Sequence, residues 1–180
     1  MPREIKQTVT FDATPKQIYA ALIDAEQHTA FTAARAKISA EVGSRFSVHD
    51  GYITGVNVEL VPGKRIVQAW RGKTWPKGVY SIVCFELEAA GRRRTRLIFT
   101  QNGVPDKFHE RMSEGWKSHY WTPLKKWLLA RKTKRRALLR ARRSAPQVKR
   151  PASNSDGHPP QGRPHRRRAP GANTSSAVMP

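Results

Sequence analysis

Apolar and polar residues alternate along short runs between residues 35 and 102, and the runs are separated by turn signals, which is the pattern of an antiparallel meander. The turns are Asp50-Gly51, Pro62-Gly63 and Ala90-Gly91. Asp-Gly suits a tight type I′ hairpin, while Pro-Gly presets φ at one corner and lets glycine take a positive φ at the next. Around them the pattern predicts strands near 3–11, 35–41, 44–49, 52–61, 64–71, 78–89 and 92–102, seven in all. Val83, Phe85 and Leu87 fall on one face of the sixth strand, and Leu97 and Phe99 on one face of the seventh. Ile82, Cys84 and Ile98 then point away from the core, as isolated exposed apolar residues or as a contact between copies.

The period changes to helical at two places. Thr14 is a suitable N-cap, Pro15 suits the first helical position and Gln17 completes a capping box, so a short helix with Ile18, Ala21 and Leu22 buried follows the first strand. A second short helix is expected over 25–31. After the last strand, a long helix is expected from Pro105 to Arg143. At about 100° per residue, Phe108, Met112, Gly115, Trp116 and His119 share one side of it, which the pattern predicts to be buried. Tyr120, Trp121, Leu124 and Leu128 fill the other side, so this helix is surrounded by other structure. Pro123 lacks the N–H that would bond the His119 carbonyl, and a bend is expected there.

Charge divides the chain. Of 34 Lys+Arg and 13 Asp+Glu, residues 1–130 hold 20 and 12, whereas residues 131–180 hold 14 and 1. A folded domain over 1–130, a basic helical extension over 131–143 and a disordered Pro/Arg-rich tail over 144–180 follow from this partition, since the tail has no aromatic residue to form a core. No stretch has the length and apolar content of a membrane span or signal peptide, and the single cysteine, Cys84, rules out an intrachain disulfide. A cytoplasmic location is expected.

Five runs carry a family resemblance: FSVHDGYITG (46–55), ELVPGKRIVQAW (59–70), YSIVCFELE (80–88), TRLIFTQNGVP (95–105) and EGWKSHYWTPLKKWL (114–128). In this succession they resemble stand-alone bacterial relatives of the C-terminal domain of the activator of heat-shock protein 90 ATPase, over about residues 5–128. The resemblance implies an α+β helix-grip fold of the START-like (SRPBCC) superfamily: a curved seven-stranded antiparallel sheet around the long C-terminal helix, with two short helices after the first strand. It also implies binding, of an apolar small molecule between sheet and helix or of a chaperone-like protein. Eukaryotic relatives place a separate N-terminal domain before one of this kind, and no segment of this sequence resembles it.

Phe31, Phe46, Trp70, Trp75, Tyr80, Gln101, Met112, Trp116 and His119 are the candidates for lining such a cavity, the alternative being that these side chains close-pack and leave no space. Trp75-Pro76, in a loop, is placed to close one mouth, the alternative being that the tryptophan caps the core. His119 is the one candidate for chemistry; the competing reading is a core histidine bonded to Gln101, Tyr80 or a backbone carbonyl. No second positioned acid or base is evident, so the expectation is a non-catalytic binding protein. Asp50 has a turn role. His109 and His119 are ten positions apart and no Cys pair or His-x-x-x-His occurs, so neither a metal nor a cofactor is expected. Phosphate-loop, nucleophile-elbow and dinucleotide signatures are absent.

The basic end points to a second class of function. Arg131, Lys132, Lys134, Arg135, Arg136, Arg140, Arg142 and Arg143 accompany Leu128, Leu129, Leu138 and Leu139 in a basic amphipathic segment, of the kind that meets nucleic acid or anionic membrane, and His165–Arg168 adds a second cluster. Nonspecific nucleic-acid association through phosphates is the most such a segment implies, the alternative being a solvated tail. The oligomeric state is left open.

Overall fold

The computed structural model describes residues 3–144. Of the tail expected to be disordered from 144, Ser144 is the last residue of the final helix, and residues 145–180, with the His165–Arg168 cluster, lie outside the described residues. The elements run β1 (Ile5–Phe11), α1 (Pro15–Ile23), α2 (Ala25–Thr32), β2 (Arg45–Val48), β3 (Ile53–Val61), β4 (Arg65–Gly72), β5 (Ser81–Ala89), β6 (Thr95–Asn102), a 3₁₀ turn (Asp106–Phe108), α3 (His109–Gly115), a π-helical segment (Trp116–Trp121) and α4 (Thr122–Ser144). The strands form one antiparallel sheet in the order β1-β6-β5-β4-β3-β2, so the first strand closes beside the last. This is the expected α+β helix-grip architecture, with six strands rather than seven.

The missing strand has a physical cause. Segment 35–41 forms a single bridge, Lys37 to Ser47, because its carbonyls are taken elsewhere. The buried Asn57 side chain donates to the Ser39 and Glu41 carbonyls at 2.7 and 3.1 Å, and β3 bulges immediately after Asn57. The Pro62-Gly63 turn is as expected: Lys64 N–H bonds the Val61 carbonyl and Gly63 has φ 69°. Asp50-Gly51 is not the two-residue hairpin the sequence suggested. Val48 pairs Ile53 across a four-residue loop in which His49, Asp50 and Gly51 all take positive φ (51°, 56° and 86°).

The predicted caps and core face are present. Thr14 and Gln17 form the capping box and Asp24 caps α2. Val83, Phe85, Leu87, Leu97 and Phe99 are buried, while Ile82 is 46% exposed. On this face lies the C-terminal helix: Trp116 sits 4.3 Å from Phe99, 4.8 Å from Trp70 and 5.7 Å from Phe85, ring centre to ring centre.

The helix does not keep one period. Thr122 N–H bonds Lys117 O, five residues back, just before Pro123. Residues five apart diverge by about 140° in an α-helix, yet here Trp116 and Trp121 stack at 5.4 Å and 19°, both turned inward. Widening to π geometry accommodates the proline and gathers Trp116, Tyr120 and Trp121 onto the sheet. It also corrects the expectation for the other flank. Phe108, Met112 and Gly115 are only half-buried and His119 is exposed, because that flank borders an open space and not the core.

Candidate functional site

That space is a cleft of about 460 Å³ at one end of the sheet-helix layer. Its floor is aromatic and fixed. Trp70 on β4 donates its indole N–H to Gln68 Oε1 at 2.8 Å, Gln68 donates to Asn57 Oδ1 at 2.8 Å, and Asn57 is the residue that ties down segment 35–41. Trp116 donates to Gln101 Oε1 at 2.7 Å, and Gln101 donates to Ser81 Oγ at 2.8 Å. Both indoles are therefore buried with their only polar group satisfied, which holds their faces in place.

Gly55 makes room for this floor. It pairs with Phe46 on one side and Trp70 on the other, and a Cβ there would lie 2.3 Å from the Phe46 ring and 2.1 Å from the Ala69 carbonyl. With hydrogen in its place, Phe46 and Trp70 meet across β3 at 5.7 Å.

Trp75 closes one end. It folds back over Gly72 and stacks on Phe108 at 6.1 Å and 26°, while Arg71 donates to the Trp75 carbonyl at 2.9 Å and pins the loop. Trp75 is 4% exposed, so it borders the cleft and caps the core at once. Met112, Gly115 and Arg111 on α3, and Ser118 and His119 on the π segment, form the helical wall.

The remaining wall holds a row of imidazoles leading inward. His119 is exposed at the rim, its ring 6.4 Å from His49; His49, half-buried, stands 6.2 Å from His28, which is 2% exposed. His28 Nε2 bonds the Tyr120 hydroxyl at 3.1 Å, and its Nδ1 has no partner among the described residues. Burial, helped by His49, pushes the His28 pKa down to about 3. Burial and His119 also lower that of His49, against Asp50, and burial raises the Tyr120 phenol well above its ordinary value. Burial therefore favours the neutral forms of His28, His49 and Tyr120, while the Arg111 guanidinium stands on the helical wall and Glu114 at the edge is paired to Lys117 at 2.7 Å. Among the described residues no group of three or more His, Cys, Asp or Glu is placed to hold a metal.

Of the nine predicted lining residues, Trp70, Trp75, Met112, Trp116 and His119 border the cleft. The others do not. Tyr80 is 49% exposed, at the start of β5; Phe31 packs in the core on Tyr120 and Trp127; Phe46 lies beneath Trp70; and Gln101 is the buried anchor of Trp116. His119 is not a core histidine bonded to Gln101 or Tyr80, since Gln101 is occupied by Trp116 and Ser81. Sequence reasoning missed His49, Tyr52 and Ile53, and on the helix Phe108, Arg111, Glu114, Gly115, Ser118 and Tyr120. Only the Asp50-Gly51 turn signal pointed near the first three. The basic residues 131–143 lie on the distal part of α4, away from the cleft. No helix among the described residues is long and apolar enough to cross a membrane.

Comparison with known proteins bears on the same region. The family model described as Activator of Hsp90 ATPase homolog 1-like protein matches residues 12–128. An Activator of 90 kDa heat shock protein ATPase homolog from Dictyostelium discoideum is 35% identical over 115 residues, covering 64% of this chain and 30% of the relative. A human homolog 1 is 33% identical over 117 residues, 64% of this chain and 34% of the relative. The chain thus spans about a third of the length of these curated relatives. Among solved structures, an HSP90 activator from Plasmodium falciparum superposes with TM-score 0.66 at 26% identity, over 69% of this chain and 95% of that one. The Aha1 dimer from Colwellia psychrerythraea shares the fold with TM-score 0.59 at 20% identity, over 68% of this chain and 93% of that one.

Proposed function

Because the chain belongs to the family of Activator of Hsp90 ATPase homolog 1-like proteins, we propose that it is a non-catalytic binding protein of the cytoplasm that receives a flat apolar small molecule between sheet and helix. The observation that supports this reading is the cleft of about 460 Å³ walled by Trp70, Trp75 and Trp116. Ligand pockets fall at about 300–1,000 Å³ and are mostly apolar with a few polar groups. The indole faces are held by Gln68 and Gln101 before any ligand arrives, so little ordering cost remains to be met on binding. An aromatic ligand adds about 0.5–1.5 kcal/mol for each well-placed ring contact beyond its area burial.

Gly115 supplies a clean test. A Cβ there meets nothing closer than His119 Cδ2 at 4.0 Å, so Gly115→Leu puts an apolar side chain into the cleft from a position whose backbone tolerates a Cβ and that favours the helix. Native mass spectrometry of the full chain should find a retained small molecule in wild type and none in Gly115→Leu. A ligand retained equally by both proteins, or by neither at any ligand concentration, removes the reading.

The relatives' names favour a second reading, in which the folded domain contacts a chaperone of the 90 kDa heat shock class. The experiment is sedimentation of the full chain with such a chaperone. A shifted boundary supports the contact, and independent sedimentation at tens of micromolar refutes it.

A further inference from the structure

We propose that the distal half of α4 is a binding site for duplex DNA, seated in the major groove with its basic side chains against the phosphates of both strands. Eight arginines and lysines stand between Arg131 and Arg143, and no aspartate or glutamate occurs anywhere from Gly115 to Ser144. The helix is tied to the domain no further than its middle. Trp127 packs on Phe31, the Arg131 guanidinium lies 4.5 Å above Trp127, and Arg131 donates to Gln27 Oε1 at 2.9 Å. Every residue from Thr133 to Ser144 is exposed, a free rod of roughly 18 Å at 1.5 Å per residue.

The arrangement of charge around this rod selects the partner. Projected at about 100° per residue, the basic side chains cover about 240° of the circumference. The rest is a narrow strip of Thr133, Ala137, Ala141 and Ser144. Leu129, Leu138 and Leu139 are 64%, 57% and 49% exposed, but they point in three different directions among the charges. The amphipathic character read from the sequence is therefore not realised on one face. A helix that lies on a membrane needs its apolar residues gathered on one side, and this one has no such side. A flat anionic surface would also leave the charges on the far side unneutralised.

A groove fits better. The B-DNA major groove is about 12 Å wide and admits an α-helix of about 10–12 Å, with phosphates on both walls. The deep, narrow major groove of duplex RNA does not admit it. Like charges three and four residues apart, with no acidic partner, weaken the isolated helix, and phosphates on either side relieve that repulsion. The contacts are with the backbone and carry no base sequence. This site is separate from the cleft and does not depend on its occupant.

The test is fluorescence anisotropy of the full chain with a 20-base-pair DNA duplex from 50 to 200 mM salt. One variant carries Arg135→Gln, Arg136→Gln, Arg140→Gln and Arg143→Gln. A second removes the same charge elsewhere, with Arg163→Gln, Arg166→Gln, Arg167→Gln and Arg168→Gln. Each lost phosphate contact lowers the slope of log K against log salt by about 0.9. The helix variant should lower it by about 3 to 4 and weaken binding at least tenfold at 150 mM salt, well beyond the second variant. Equal losses in the two variants overturn the site, because total charge then suffices. So does equal affinity for duplex RNA, or helix-dependent binding to phosphatidylserine vesicles or an acidic protein with DNA binding unchanged.

Discussion

The two long walls of the cleft solve the problem of burying polar groups in opposite ways. On the aromatic floor, Trp70 from β4 and Trp116 from the π segment each donate to a buried glutamine that is itself bonded onward, to Asn57 and to Ser81. On the imidazole side, His28 of α2, buried behind His49, keeps one bond to Tyr120 and one ring nitrogen without a described partner, and His49 occupies a left-handed backbone conformation that a non-glycine residue adopts at some cost. The floor is built for stability and shape, whereas the imidazole row keeps an unmet bonding group, His28 Nδ1, in the core behind the cleft. A bound molecule therefore meets a fixed aromatic plane on one side and the His49 and His119 rings on the other.

The largest effect expected from this difference comes from the floor. Trp116 is 2% exposed and touches Phe85, Phe99, Trp70 and Trp121, so Trp116→Ala removes a large side chain from the centre of the core and leaves Gln101 Oε1 unpaired. A loss of about 3–5 kcal/mol is expected in urea unfolding at pH 7. A loss below about 1 kcal/mol would show that the floor is not the rigid half.

The imidazole wall should instead reveal itself through pH. His28 has its pKa at about 3 in the folded protein against an ordinary 6.5, so between those values the unfolded chain binds the extra proton. Stability then rises with pH across the window and is lost as pH falls from about 6.5 toward 3. From pH 7 to pH 5 the loss from His28 alone amounts to about 2 kcal/mol, at about 1.36 kcal/mol per pKa unit. His49 acts in the same direction. Urea midpoints measured at both pH values should show the fall in wild type and a much shallower one in His28→Gln, which keeps a polar group beside Tyr120. Parallel curves for the two proteins would mean that His28 titrates normally and that the walls do not differ as described.

The contrast also marks what could be read from the residues and what could not. The strands, the Thr14 capping box and the inward set Val83, Phe85, Leu87, Leu97 and Phe99 follow from local rules of alternation and capping, and those rules hold because one sheet face is buried and the other is not. The floor was half legible: Trp70, Trp75 and Trp116 stand out by size, but Gln68 and Asn57 gain their roles only from cross-strand register. Gly55 likewise reads as a weak strand residue until Phe46 and Trp70 are seen to pair on either side of it. The imidazole wall was least legible. His28, His49 and His119 lie on three separate segments, and His119 is exposed because the helix flank it shares with Met112 and Gly115 borders the cleft and not the core. Segment 35–41 failed for a related reason, since a side chain far along the sequence, Asn57, takes the carbonyls a seventh strand needs.

The smallest expected effect isolates the outer end of the imidazole row. His119 is exposed and makes no hydrogen bond to any described residue, so His119→Ala should change stability by less than about 0.5 kcal/mol. Its charged form nonetheless opposes protonation of His49, whose ring lies 6.4 Å away. Removing it takes away one of the two influences that hold the His49 pKa down and leaves the raising influence of Asp50 intact. The His49 titration followed by NMR should therefore move upward in His119→Ala, but remain below 6.5 because burial persists. The shift should shrink in high salt, since His119 sits where solvent screens it. An unmoved His49 titration at low salt would show that the two rings do not sense each other, and that the row ends at His49.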